Sequence, residues 1–150
     1  ISIILAAVTR SIIIGIVSTL VFFFIVDLKI SNLIYIFFSA FFGSFFIGSL
    51  GFITGLWATK FDHTATITNF IITPLAFLSG VFYTIDRLPS IFQTISYYNP
   101  FFHIINIFRF GFLGVSDGEI LFGMLYLPLL SFIGWFVAYT LYKNGYKIKT

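Results

Sequence analysis

The sequence predicts an all-α polytopic membrane protein: four transmembrane helices plus an external re-entrant helical hairpin. Three observations predict it. The 150 residues are 59% hydrophobic and only 8 basic and 5 acidic residues are present, whereas a soluble domain is about 25% charged. Four apolar runs each approach the roughly 20 residues that cross a hydrocarbon core. A further stretch, residues 88–114, is too polar to face lipid and too apolar for a soluble loop. Backbone of that kind persists at membrane depth only where protein or a water path covers it.

The first run, residues 6–26, carries Arg10 near one end and stops at Asp27 and Lys29. Arg10 is expected to snorkel toward headgroups. The second run, 33–57, closes on Thr59-Lys60-Phe61-Asp62-His63. The third, 66–83, contains Pro74, which lacks an N–H and should kink it. The last, 120–142, holds Pro128 and leads through Trp135, Tyr139 and Tyr142 to Lys143, Lys147 and Lys149. Between the third and last runs Asn99 suits an N-cap and Pro100 a first helical position. Gly111 and Gly114 are candidate stops. The expectation is a helix at 90–98, a break, and a second helix at 100–112.

Charge decides whether this unit crosses the bilayer. With four spans, Arg10, Lys60, Lys143, Lys147 and Lys149 share one side. Asp27, Lys29, Asp86, Arg87, Asp117 and Glu119 share the other, which obeys the positive-inside rule. A fifth crossing would place the lysine tail outside, so the unit is expected to enter and leave by the external face. On the second span Ala40, Ser44, Gly48, Gly51 and Gly55 form one helical stripe of small residues. Such a stripe lets helices approach closely. Packing within one subunit is the expected use, with a dimer interface as the alternative.

Composition also excludes functions. Cysteine is absent, so there is neither a disulfide framework nor a thiolate metal site. The net charge of +3 sits mostly in the lysine tail and forms no basic stripe for nucleic acid. Those lysines set orientation or touch anionic membrane lipid. Gly114-Val115-Ser116-Asp117-Gly118 matches GxSxG, but a nucleophile elbow needs a strand–turn–helix in an α/β sheet, and no strand is expected here. Two histidines on opposite sides of the membrane make a metal site unlike this chain. No catalytic residue and no cofactor is expected. The chain begins on Ile1 and its one methionine is Met124, so a piece of a longer protein is expected.

Phe77-Leu78-Ser79-Gly80-Val81-Phe82-Tyr83, then Leu88-Pro89, Asn99-Pro100 and Arg109 with Gly111 and Gly114, resembles the signature region of ABC-2 type permeases. These are the membrane subunits of one class of ATP-driven exporters, and the bacterial drug, nodulation-factor and polysaccharide exporters are the nearest branch. Thr84 departs from the family, where proline often follows the aromatic pair. The resemblance implies that residues 1–150 hold the third to sixth spans of a six-span transmembrane domain. The N-terminal interfacial helix and first two spans would be missing. It also implies a homodimer or pseudo-dimer in a bacterial inner membrane, docked on a cytoplasmic ABC ATPase, with a cytoplasmic C-terminus. No GxxxxGK[ST] phosphate loop is present in this chain, so a partner would bind the ATP.

Arg109, with His103 and Asn106 at helical spacing, is the leading candidate for a substrate path or external gate. An ionisable group at membrane depth suggests function. Either Arg109 lines or latches the outer mouth, or it snorkels outward or pairs with Asp86, Asp117 or Glu119. Phe82, Tyr83 and Phe101, with Phe77, Tyr97, Tyr98 and Phe102, either line the route or form an interfacial aromatic belt. Pro74, Ser79, Gly80, Pro89, Asn99 and Pro100 are the expected breaks and caps. Arg10, Lys60 and Asp62 are the expected ATPase contacts. An alternative reading, an intramembrane lipid-modifying enzyme using Arg109 and His103, would want a pair of carboxylates at membrane depth. All five acidic residues instead fall at span edges or in loops.

Overall fold

The computed structural model describes residues 2–26, 30–58, 61–82 and 84–145. Among them the order is α1 (Ser2–Ile25), α2 (Leu33–Trp57), α3 (Phe61–Ile67), a π-turn (Thr68–Ile72), α4 (Thr73–Phe77), a 3-10 turn (Ile85–Arg87), α5 (Ser90–Tyr97), α6 (Pro100–Leu113) and α7 (Ile120–Lys143). No strand occurs among the described residues. Three helices, α1, α2 and α7, are long and apolar enough to cross a membrane by themselves. The large side chains along them are mostly exposed, as befits surfaces solvated by lipid.

α2 is the centre of the bundle, and α1, α6 and α7 all pack on it. Its 25 residues span about 37 Å. Its buried positions are Ser39, Gly43, Phe46 and Ser49. Gly43 faces the Ile104 side chain, and Ser39 Oγ donates to the Ile104 carbonyl at 2.6 Å. From α7, Ser131 Oγ donates to the Phe42 carbonyl at 3.0 Å, and Gly134 lies against Ser49. The packing stripe is thus one residue round from the expected one. Of the expected stripe, Gly48 meets Ile4 and Ala7 of α1, whereas a Cβ at Gly51 or Gly55 would meet nothing. Helix-to-helix contact here uses small residues, as membrane packing does, but α6 and α7 choose which small residues.

The third span differs most from expectation. Its helix runs from 61 to 77, beginning five residues before the expected start and ending six before the expected end. The polar residues after Trp57 are not all loop. Asp62 occupies the first turn of α3, where an acidic side chain favours the helix dipole, and Thr66 Oγ1 donates to the Asp62 carbonyl at 2.8 Å. Pro74 acts one turn upstream of itself. An α-helix would drive its ring into the Phe70 carbonyl. The chain instead widens into the π-turn, in which the Thr73 N–H reaches back five residues to the Thr68 carbonyl. Seventeen helical residues rise only about 25 Å, short of a roughly 30 Å hydrocarbon core. Residues 78–82 complete the crossing without helix.

The hairpin follows the expected pattern, with two adjustments. α5 ends at Tyr97 and α6 at Leu113, each one residue from the expected bound. Gly114 stops α6 at φ +70°, the left-handed conformation that favours glycine. Gly111 is not a stop: it lies inside α6 and is buried against α2.

The register of α6 fixes the path of the chain. Ser31 and Asn32 donate N–H bonds to the Gly111 carbonyl at 3.1 and 2.8 Å, and Ser39 reaches Ile104. α6 is therefore antiparallel to α2. Extrapolated along α6, Asn99 comes level with the middle of α2. Gly80 is bonded to Arg109, close to the α2 N-terminal end. The chain thus leaves that end at Gly80, dips to mid-depth at Asn99 and returns to it at Gly114. The 14 residues of α6 give about 21 Å and the 8 of α5 about 12 Å, too little for either to cross.

Candidate functional site: the hairpin clamp

The site is built where the third span loses its helix. A helix end leaves carbonyls without N–H partners, and inside a membrane water does not replace them. Two α6-side residues supply the donors. Asn99 Oδ1 accepts the Phe101 N–H at 3.0 Å, capping α6, while its Nδ2 donates to the Leu75 carbonyl at 2.6 Å. One buried amide therefore caps the start of α6 and the end of α4 together. Ser79 Oγ closes on the Ala76 carbonyl. Gly80, at φ +78°, presents its carbonyl to Arg109 Nη2.

Arg109 also pairs through Nη1 with the Asp117 carboxylate. Of the three acids expected as possible partners, Asp117 is engaged, and the Asp86 side chain lies outside the described residues. Asn106 then organises the loop that carries it. Its Oδ1 accepts the Asp117 N–H at 2.8 Å and its Nδ2 donates to the Gly118 carbonyl at 3.2 Å. The clamp thus ties the non-helical part of the third span, α6 and the loop entering α7 into one unit.

His103 lies one turn deeper and is fully buried. Its Nε2 is 2.7 Å from the Tyr97 carbonyl. A carbonyl only accepts, so Nε2 carries a proton, and in the neutral ring Nδ1 carries the lone pair. That Nδ1 has no partner among the described residues and faces Gly123, where a Cβ would approach to 3.1 Å. Tyr97, Phe102, Phe122 and Tyr126 surround the ring, and the Tyr126 hydroxyl donates to the Tyr98 carbonyl at 2.7 Å.

The expected site residues are therefore partly brought together. Arg109 and Asn106 share the clamp and His103 supports the break, but His103 and Asn106 are buried and line no open path in this conformation. The aromatic cluster divides. Phe82 is exposed and stacks on Phe77 at 5.4 Å, whereas Tyr97 stacks on Phe122 at 5.2 Å, beside His103. Phe101 sits half-buried on the first turn of α6, after Pro100 at N1. Pro89 opens α5, its carbonyl accepting the Phe92 N–H at 2.9 Å. Tyr83, Lys60 and the Asp86 side chain lie outside the described residues. Asp62 is exposed at the start of α3, near the Trp57–His63 ring contact at the end of α2.

Sequence reasoning missed Asn69. Its side chain is exposed on the π-turn and has no partner among the described residues. The signal was an amide in an apolar run, five residues before a proline. Asn99→Ala is expected to cost about 1–2 kcal/mol through the lost cap, and to free the Leu75 carbonyl as well. Hydrogen–deuterium exchange should show faster exchange at both Phe101 and the α4 end, and protection unchanged at both would contradict the double cap.

The sequence profile of the ABC-2 type transporters matches residues 1–113. The inner membrane transport permease YadH of Escherichia coli (strain K12) is 29% identical over 140 residues, covering 92% of this chain and 54% of its own length. Nodulation protein J of Rhizobium leguminosarum bv. trifolii is 36% identical over 61 residues, 41% of this chain and 23% of its own length. The chain spans about half the length of YadH. No solved structure matches it. With the profile covering three-quarters of an all-helical membrane chain, the protein belongs to the ABC-2 type transporter family.

Proposed function

We propose that the chain is part of the permease of an ATP-driven exporter, forming the translocation path for a drug, lipid or glycan while a separate cytoplasmic subunit hydrolyses ATP. Family membership over residues 1–113 carries this reading. The names of the relatives, a transport permease and a nodulation protein, agree with it. Residues 1–150 then correspond to the third to sixth spans of a six-span domain, and the working unit is a homodimer or pseudo-dimer in a bacterial inner membrane.

The lysines at the end of α7 orient the chain. Lys143, with Lys147 and Lys149 beyond it and Lys60 after α2, puts that end of the bundle in the cytoplasm by the positive-inside rule. The hairpin then opens outward. In this frame Asp62, at the start of α3, stands at the cytoplasmic end, where an ATPase docks, and Lys60 precedes it in the sequence. Arg10, exposed in the third turn of α1, is the other residue read as an ATPase contact. The clamp holds the hairpin to the third span, so the two move together when the partner changes state, and the exit is shaped by Phe77 and Phe82, the exposed stacked pair that flanks the Gly80 turn in sequence. Such coupling requires that the states differ in their contacts with the ATPase.

The lipid-modifying alternative has less support. Asp117 is already engaged by Arg109, and His103 is sealed from any substrate. Affinity purification of the intact protein from its native membrane is the test. Recovery of a stoichiometric ABC ATPase is expected, and a stable complex lacking one would count against the exporter.

A further inference from the structure

Two buried side-chain atoms lack a hydrogen-bond partner among the described residues, Ser96 Oγ and His103 Nδ1. They flank the break, one near the end of α5 and one in the first turn of α6. Buried polar groups are normally paired, so two orphans at one break call for a reason.

The His103 ring is walled by Tyr97 of α5, by Phe102 of its own helix, and by Phe122 and Tyr126 of α7. Its Nε2 proton goes to the Tyr97 carbonyl. On the Nδ1 side the Gly123 backbone leaves a Cβ only 3.1 Å of room, and a second proton there would find no acceptor. The titratable groups that face the ring are the Tyr97 and Tyr126 phenols, and phenols stay neutral up to about pH 10. From α2, Tyr35 pairs with Phe110, two turns further along α6. Glu119, one turn before Gly123, is exposed, and Asp117 is held by Arg109. No carboxylate among the described residues faces the ring. An imidazolium here would be a buried charge without a counter-ion, far costlier than the neutral ring.

Of the three helices that wall the ring, α5 is the one free to leave. It buries Ser96 alone, packs on α6 and the 3-10 turn, and leaves Ile91, Phe92 and Ile95 exposed. α6 and α7 are both anchored on α2. Lifting α5 frees both orphan atoms at once.

We infer that α5 is an acid-released lid, which closes over His103 only while the imidazole is neutral. The closed lid is fully favoured above the pH at which a solvated imidazole ionises, about 6.5. Below that pH the open form alone takes up the second proton, so the closed form loses about tenfold per pH unit. The inference concerns the hairpin itself and does not depend on the transport reading.

The test is hydrogen exchange on the full-length protein in phosphatidylcholine nanodiscs, corrected for the pH dependence of exchange chemistry. From about pH 7.5 to about pH 5.5, protection at residues 97–103 should fall about tenfold while that of α2 holds. His103→Gln keeps an N–H for the Tyr97 carbonyl, and His103→Phe keeps the ring volume. Neither titrates, so both should abolish the fall. Constant protection in the wild type overturns the inference. So does a fall that persists in the variants, which would assign the titration to another group. Where neither variant assembles, nitrogen-15 spectra of histidine-labelled wild type decide. A solvent-protected ring that gains its second proton while residues 97–103 stay protected overturns the lid, and one that stays neutral until protection is lost supports it.

Discussion

Replacing Gly111 by alanine is expected to separate α6 from α2 and to lower stability by about 1–3 kcal/mol, the usual range for overpacking. A Cβ there would fall 2.5 Å from Ile36 Cγ1, 3.0 Å from the Ile36 nitrogen and 3.1 Å from the Asn32 carbonyl. Two of those three atoms are backbone and cannot rotate away. The Gly111 carbonyl also accepts the Ser31 and Asn32 N–H bonds at the entry to α2, so any shift breaks both. Gly51→Ala is the control, because its Cβ would meet open space. Thermal unfolding in detergent should show a clear drop for Gly111→Ala and none for Gly51→Ala. Equal losses would contradict the packing of α6 on α2.

Arg109→Ala is the second large effect. It strands the Asp117 carboxylate and the Gly80 carbonyl at once. Removing one partner of a fully buried ion pair costs about 3–5 kcal/mol. Here the two side chains remain 23% and 14% exposed, so water recovers part of that and a loss of about 2–3 kcal/mol is expected. The subunit should still assemble while transport slows, because the hairpin no longer follows the third span. Asp117→Asn should be milder, since an amide oxygen still accepts from the guanidinium. The exchanged pair Arg109→Asp with Asp117→Arg should recover part of the loss. Assembly lost in Arg109→Ala, with no recovery in the exchanged pair, would assign Arg109 to a subunit contact instead.

The parts legible in the sequence are those fixed by local chemistry. α2 and α7 read directly from apolar length, and Asn99-Pro100 and Gly114 mark the hairpin break and its end because capping and left-handed φ act within a few residues. The third span was not legible, for two local reasons. Asp62 and His63 look like loop residues, yet an acidic first turn suits a helix. The effect of Pro74 also appears upstream as a π-turn rather than at the proline. The packing face of α2 was hidden for a different reason. Two stripes of small residues run along it, and only the tertiary approach of Ile104 and Ser131 selects Ser39 and Gly43 over Gly51 and Gly55. Likewise Arg109 announced a partner, but three acids qualified, and choosing Asp117 required the Asn106 bonds that place its loop.

The central claim concerns the route of the chain between the third span and α7. Residues 1–150 contain no cysteine, so single cysteines at Ser90, Ser116 and Asn144, all at exposed positions, report the route without background in a full-length protein freed of any other cysteine. A membrane-impermeant maleimide applied to right-side-out vesicles should modify positions 90 and 116 and spare 144 until the bilayer is opened. Modification of 90 and 116 from opposite sides would mean that the hairpin crosses, and would contradict the fold, the orientation and the clamp's place at the outer mouth together.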